Sequence, residues 1–226
     1  MDKSNTALAT RIGAYTALLG SVCAISGAAL MNIAGADLDT ALAGGDIAGY
    51  LAVAGEGRHL LVMNLTLWIL MVLLMGVAAT AMTTLSERRP VLARIARYSY
   101  WVGSPLVIAA YVSWLALVVQ VAPDTSPEAL LLAKTIGWFA SRADWVATIL
   151  IIGIGPTLIA LAGREEWVPV WLFRWSLVTA ITGLLNFIAM ITGGSGLTSY
   201  GFLIIPAGVG WMIAAGIVLF RRIGTV

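Results

Sequence analysis

SRADWVATILIIGIGPTLIALAGREEWVPVW, residues 141–171, is the stretch that decides the fold. Arg142 and Asp144 stand at the mouth of an apolar run. Gly153-Ile154-Gly155-Pro156 interrupts that run, and an acidic turn followed by Pro169 and Trp171 closes it. About 20 apolar residues cross a bilayer, and a basic residue at one boundary with an aromatic ring at the other suits a crossing helix. Proline in mid-span removes one backbone hydrogen bond and kinks the helix.

Five further apolar runs flank this one, joined by short connectors. The chain is 60% hydrophobic and only 11% charged over 226 residues, whereas a soluble domain carries roughly a quarter charged residues. A water-soluble globule is excluded. The expected fold is an all-α polytopic membrane protein, one transmembrane domain over 1–226 built as a six-helix bundle. Its helices fall at about 12–35, 59–82, 98–121, 142–162, 170–192 and 202–220. The first run is too long for a signal-peptide core and reads as a retained helix. The segment 129–141 reads as a lead-in to the fourth helix, and Ile47 to Ala54 as a short interfacial helix.

Charge placement sets the expected orientation. The connector SERRPVLARIAR, residues 86–97, carries four arginines against Glu87, and short loops rich in Lys and Arg stay in the cytoplasm. Alternation then puts both termini and the turn between the fourth and fifth helices on the same side. Ten of the 13 basic residues and four of the 11 acidic ones fall there, a net +6 against −4 outside. The expected location is the inner (plasma) membrane, multi-pass, with both termini cytoplasmic. Membrane lipids are the first partners; a small-molecule ligand or a membrane protein partner is the second expectation, and nucleic acid is not one.

Small residues recur on the first helix at Gly13, Ala17, Gly20, Ala24 and Gly27, in alternating steps of four and three. In lipid such a seam lets another backbone approach closely, so it reads as a packing face; on an accessory subunit it would dock a partner.

From Glu128 onward a polar-flanked lead-in precedes Asp144 and a glycine-rich helix. The turn Trp167-Val168-Pro169-Val170-Trp171-Leu172 follows, then a helix, Pro206 and a closing Arg221-Arg222. This order resembles a bacterial six-helix membrane family, domain of unknown function 4386, with a weaker echo in ATRIGAYTALLG at residues 9–20. That family has a basic residue beside the proline of this turn; here it is absent, and Arg174 lies one turn later. The resemblance implies six helices and carries no activity and no site residue.

The candidate chemistry is sparse. His59 and Cys23 are the only histidine and cysteine, so two-histidine haem ligation is excluded, and neither a metal site nor a cofactor is expected. No nucleophile–base pair is visible, and an intramembrane enzyme ranks below a binding protein. Two polar groupings remain. Glu56, Arg58, His59 and Asn64 belong to the outer end of the second helix, and Trp138, Arg142, Asp144 and Trp145 to the same level of the fourth. Together they would line an outer cavity for an anionic or aromatic ligand through charge-assisted and cation–π contacts; the competing reading is local ion pairing among interfacial tryptophans. Thr179, Thr182 and Asn186 form a stripe on the fifth helix that would line a polar path, against the alternative of plain interhelical hydrogen bonds. The expected function is small-molecule or lipid binding, as a sensor or transporter, with an accessory subunit as the alternative.

Overall fold

The computed structural model describes residues 3–192 and 203–223, and among these every regular element is a helix. In order they are α1 Lys3–Ala34, α2 Leu38–Gly44, α3 Ile47–Glu56, α4 Arg58–Thr84, α5 Pro90–Ala116, α6 Pro127–Thr148, α7 Gly155–Gly163, α8 Val170–Thr192 and α9 Ile204–Arg222. A π-helical turn, Leu117–Val121, extends α5, and a second, Ile149–Ile154, joins α6 to α7 without a break. Six stretches are long and apolar enough to cross a membrane: 4–34, 58–84, 90–121, 127–163, 170–191 and 204–222. The turn at residues 193–201, read from sequence as Gly- and Ser-rich, lies outside the described residues.

Several helices begin earlier than apolarity predicts. Pro90 and Pro127 occupy first-turn positions, with Ser126 accepting the Ala129 N–H as N-cap. Proline fits there because the missing N–H has no intrahelical partner. The lead-in 129–141 is therefore the first four turns of one continuous helix, and Arg94 and Arg97 belong to α5 rather than to a loop. The acidic connector holds two helices where one was expected. Asp37 caps α2 through the Asp39 and Thr40 N–H groups, Asp46 caps α3 through Gly49, and Gly45 at φ +76° supplies the left-handed C-terminal residue between them, a conformation glycine adopts without strain.

α1 packs along α4 and α9, and α5 lies between α4 and α6. The α1 seam is filled from inside: a Cβ on Gly13 would meet Leu219 and Ala81, on Gly20 Leu74 and Met75, on Gly27 Trp68. It is a packing face, and it offers no free surface to a partner. Glycines also set a close backbone contact, where Gly153 of the second π turn and Gly183 of α8 meet, an added Cβ on Gly153 falling 2.9 Å from the Gly183 Cα.

The α4–α5 and α7–α8 connectors clasp each other. Glu166 accepts the Glu87 and Arg88 N–H groups at 2.9 and 3.3 Å, Arg89 pairs with Glu165, and the Trp167 indole donates to Ser86 at 3.2 Å. The Arg89 hydrogen bond holds the exposed Glu165 carboxyl below its ordinary range. Arg222 reaches the Glu166 carbonyl, so the C-terminal end of α9 joins this arginine-rich end. α2 and α3 close the opposite end, burying Leu38, Leu42, Ile47, Tyr50, Leu51 and Ala54.

Candidate functional site

The eight residues expected at one outer cavity divide into two places. Glu56 ends α3, Gly57 breaks the helix, and Arg58 opens α4. Glu56 and His59 are exposed, while Arg58 donates to the Ala122 carbonyl beyond the first π turn. Asn64 is buried; its amide donates to the Gly27 carbonyl of α1 at 2.9 Å, and its Oδ1 has no partner. The second group sits on α6, with α5 between it and α4. Arg142 lies 4.7 Å over the Trp138 ring, a cation–π contact within one helix, and it makes no ion pair with Asp144.

Asp144 points inward, away from any mouth. The Tyr111 hydroxyl of α5 lies beside the carboxyl, and Thr148 one turn along donates its hydroxyl to it at 3.4 Å. Tyr111 stacks at 5.3 Å on Trp68 of α4, whose indole donates to the Ala24 carbonyl of α1. Trp68, Tyr111 and Ala24 each stand ten residues from the α2–α3 ends of their helices, the ends at Arg58, Val121 and Ala34. At 1.5 Å per residue that is about 15 Å along the helix. Asp144 is thus an ionisable group inside the bundle, and such residues are costly unless paired.

Sequence reading missed most of what surrounds it. Asp39 of α2 reaches the same place, beside Ser141 and Trp145 and close enough for its charge to act on Asp144. Trp114 of α5 lies 6.2 Å from Trp68 and donates to the Tyr50 hydroxyl of α3 at 2.6 Å. Two carboxyls, two tyrosines and three indoles on five helices therefore form one polar cluster, Tyr50, Tyr111 and Trp114 buried and the rest half-buried, that ties the α2–α3 cap to the bundle. Asp39 sits in a connector with no apolar period to reveal which side chain turns inward, so only its acidic surroundings could have drawn notice.

Burial pushes the Asp39 carboxyl above its ordinary 3.8, and the Asp37 charge adds to this. The Ser141 hydrogen bond, the Arg142 charge and the Trp145 N–H oppose it. A raised native pKa means that the folded state binds the proton more tightly than the unfolded chain. Its stabilisation is complete below 3.8 and is lost as pH rises through the raised value. Melting temperatures measured in an uncharged detergent are expected to fall as pH rises above about 3.8, and Asp39→Asn flattens that fall; an unchanged slope would place its cause elsewhere.

The α8 stripe proves local. Thr179 donates to the Gly153 carbonyl at 3.0 Å and to Ser176, Thr182 donates to Thr179, and the Asn186 amide to Thr182. These bonds satisfy the second π turn and the helix itself.

A cavity lies in the arginine half of the bundle. It is a groove of about 730 Å³ on the flank of the bundle among α1, α4 and α5, bordered by Ile12, Leu73, Gly76, Thr84, Trp101 and Ser104. This volume falls in the usual range for ligand sites, roughly 300–1,000 Å³. The Ser104 hydroxyl and that of the buried Tyr100, which also lines the groove, are shielded and find no hydrogen-bond partner among the described residues. At the α2–α3 end a cleft of about 250 Å³ lies between the Gly45–Ala48 turn and Leu130, Leu131 and Lys134. The groove is thus at the opposite end from the expected cavity.

No family model, curated protein or solved structure matches the chain. The functional reading rests on the geometry alone. Among the described residues no three His, Cys, Asp or Glu side chains gather as metal ligands.

Proposed function

We propose that the protein is a membrane-embedded binding protein for a lipid-like amphiphile, seated in the groove among α1, α4 and α5. Its arginine end faces the cytoplasm, following the lysine and arginine bias of short loops, and the host bilayer is the plasma membrane. The observation that carries this reading is the groove itself, about 730 Å³ and lined mainly by apolar side chains, among which Leu8, Leu73, Val77 and Trp101 are exposed on the face that meets lipid. Kinship with domain of unknown function family 4386 belongs to the same proposal and rests on the turn Trp167–Leu172 and on Pro206.

Gly76 borders the groove, and a Cβ there meets only Ser104 at an ordinary 3.5 Å. Gly76→Leu therefore fills the groove with little strain in the wall. In native mass spectrometry from a mild detergent, wild type is expected to retain an amphiphile of a few hundred daltons that Gly76→Leu loses. Saturation at 100 times Kd would raise stability by about 2.7 kcal/mol. Equal retention by both proteins would rule out this groove as the site.

A further inference from the structure

We infer that the occupant is an anionic phospholipid of the surrounding bilayer, its phosphate at the Arg94–Arg97 end of the groove and one acyl chain lying along α4. This rests on the groove reading above and adds the class of ligand. The α4 border of the groove runs from Val72 to Thr84, twelve residues or about 18 Å. One leaflet is half of a hydrocarbon core of about 30 Å, so the groove is about as long as one leaflet is deep. Leu8, Leu73, Val77 and Trp101 beside it are 47–65% exposed, so it opens on the face that meets lipid.

Polarity changes along the groove in the order of a phospholipid. On α5, Arg94, Arg97, Trp101, Ser104 and Ile108 follow at steps of three or four and share one face. Ile108 lies deep, and Ser104 is half-buried one turn above it. Trp101 stands where indoles occupy the headgroup level, and Arg97 lies one turn beyond. Arg97 donates through Nε to Thr83 at 3.1 Å and through a terminal nitrogen to Thr84 at 3.3 Å, and Thr84 lines the groove. Two hydroxyls thus hold the guanidinium at the groove's end with donors to spare. Arg88 and Arg89 are engaged by Glu165, whereas Arg94 and Arg97 face no carboxylate among the described residues; Arg94 contacts only the Pro90 carbonyl. An unpaired guanidinium beside an apolar trough fits a phosphate, which it grips through paired N–H donors.

The test uses the full chain in an uncharged maltoside, with phosphatidylglycerol, phosphatidylcholine and diacylglycerol carrying the same acyl chains as probes and the melting temperature as readout. Phosphatidylglycerol is expected to bind wild type at least tenfold more tightly than the other two, an advantage that shrinks with added salt as exposed charge pairs do. Arg97→Gln or Arg94→Gln should lower phosphatidylglycerol binding toward the diacylglycerol level and leave diacylglycerol unchanged. The salt series needs no variant, so it stands even if one of these proteins does not fold. Equal binding of phosphatidylcholine or diacylglycerol to wild type overturns the headgroup assignment and leaves the groove intact. Failure of all three lipids to stabilise wild type, with Gly76→Leu indistinguishable from it, overturns the groove reading instead.

Discussion

Gly208→Val is expected to destabilise the bundle by more than about 3 kcal/mol, beyond the usual 1–3 kcal/mol of an overpacked core. A Cβ at Gly208 would lie 1.9 Å from Ile152 Cγ2 and 2.7 Å from the Ile152 carbonyl oxygen. The carbonyl is backbone, in the π turn that α8 also presses through Gly153 and Gly183, so it has nowhere to retreat. α9 must move as a whole, and the contacts it makes with α1 through Gly216 and with α8 through the Trp211 bond to the Leu172 carbonyl move with it. Thermal unfolding in detergent reads the effect. Gly44→Ala is the control, since nothing lies within 4 Å of its added Cβ and its φ is ordinary. Comparable melting of the two variants would mean that α9 is not seated on the π turn.

Trp114→Ala is expected to release the α2–α3 cap. The indole is 4% exposed, stacks near Trp68, and is the hydrogen-bond donor to Tyr50. Deleting a buried tryptophan costs about 3–5 kcal/mol, and the Tyr50 hydroxyl then loses its partner. Because Tyr50 is an inward side chain of α3 and ties it to α5, the loss should be concentrated in that helix. Hydrogen exchange is expected to rise across residues 38–56 while α8 and α9 stay protected, and Trp114→Phe should show a smaller rise, keeping the ring and losing only the N–H. A uniform rise along the chain would sink the idea of a separable cap.

Hydropathy alone located the spans because lipid imposes a length that chemistry cannot disguise. Residues 170–192 matched α8, and the α1 seam was legible because small residues at steps of three and four have one use in a lipid-facing helix. Helix starts were less legible: Pro90 and Pro127 open helices whose first turns are polar enough to resemble loops. The polar network escaped for another reason. Asp144 was visible as an ionisable residue near an apolar run, but its inward direction depends on Tyr111 and Asp39, which lie 33 and 105 residues earlier in the chain. No local period encodes that meeting. Grouping Glu56 and His59 with Arg142 failed because equal depth was taken for adjacency, and α5 stands between them. The groove was invisible because Gly76, Thr84 and Ser104 read as ordinary members of apolar helices until three helices are placed around them.

The π turn at Ile149–Ile154 has a consequence for how this chain tolerates inherited change in length. A π turn is an α-helix carrying one residue more than its hydrogen-bond pattern needs. Losing that residue would leave a plain α-helix with α6 and α7 still joined and their faces still in phase, because the extra residue is taken up within the π turn. Losing a second would shorten the rod by about 1.5 Å and turn everything beyond it by about 100°. Gly155, now against the Tyr100 ring, and Pro156 would then leave their places, and α7 would offer α5 and α8 a different face. Between Thr148 and Gly155 the chain therefore has room to lose one residue and none to lose two.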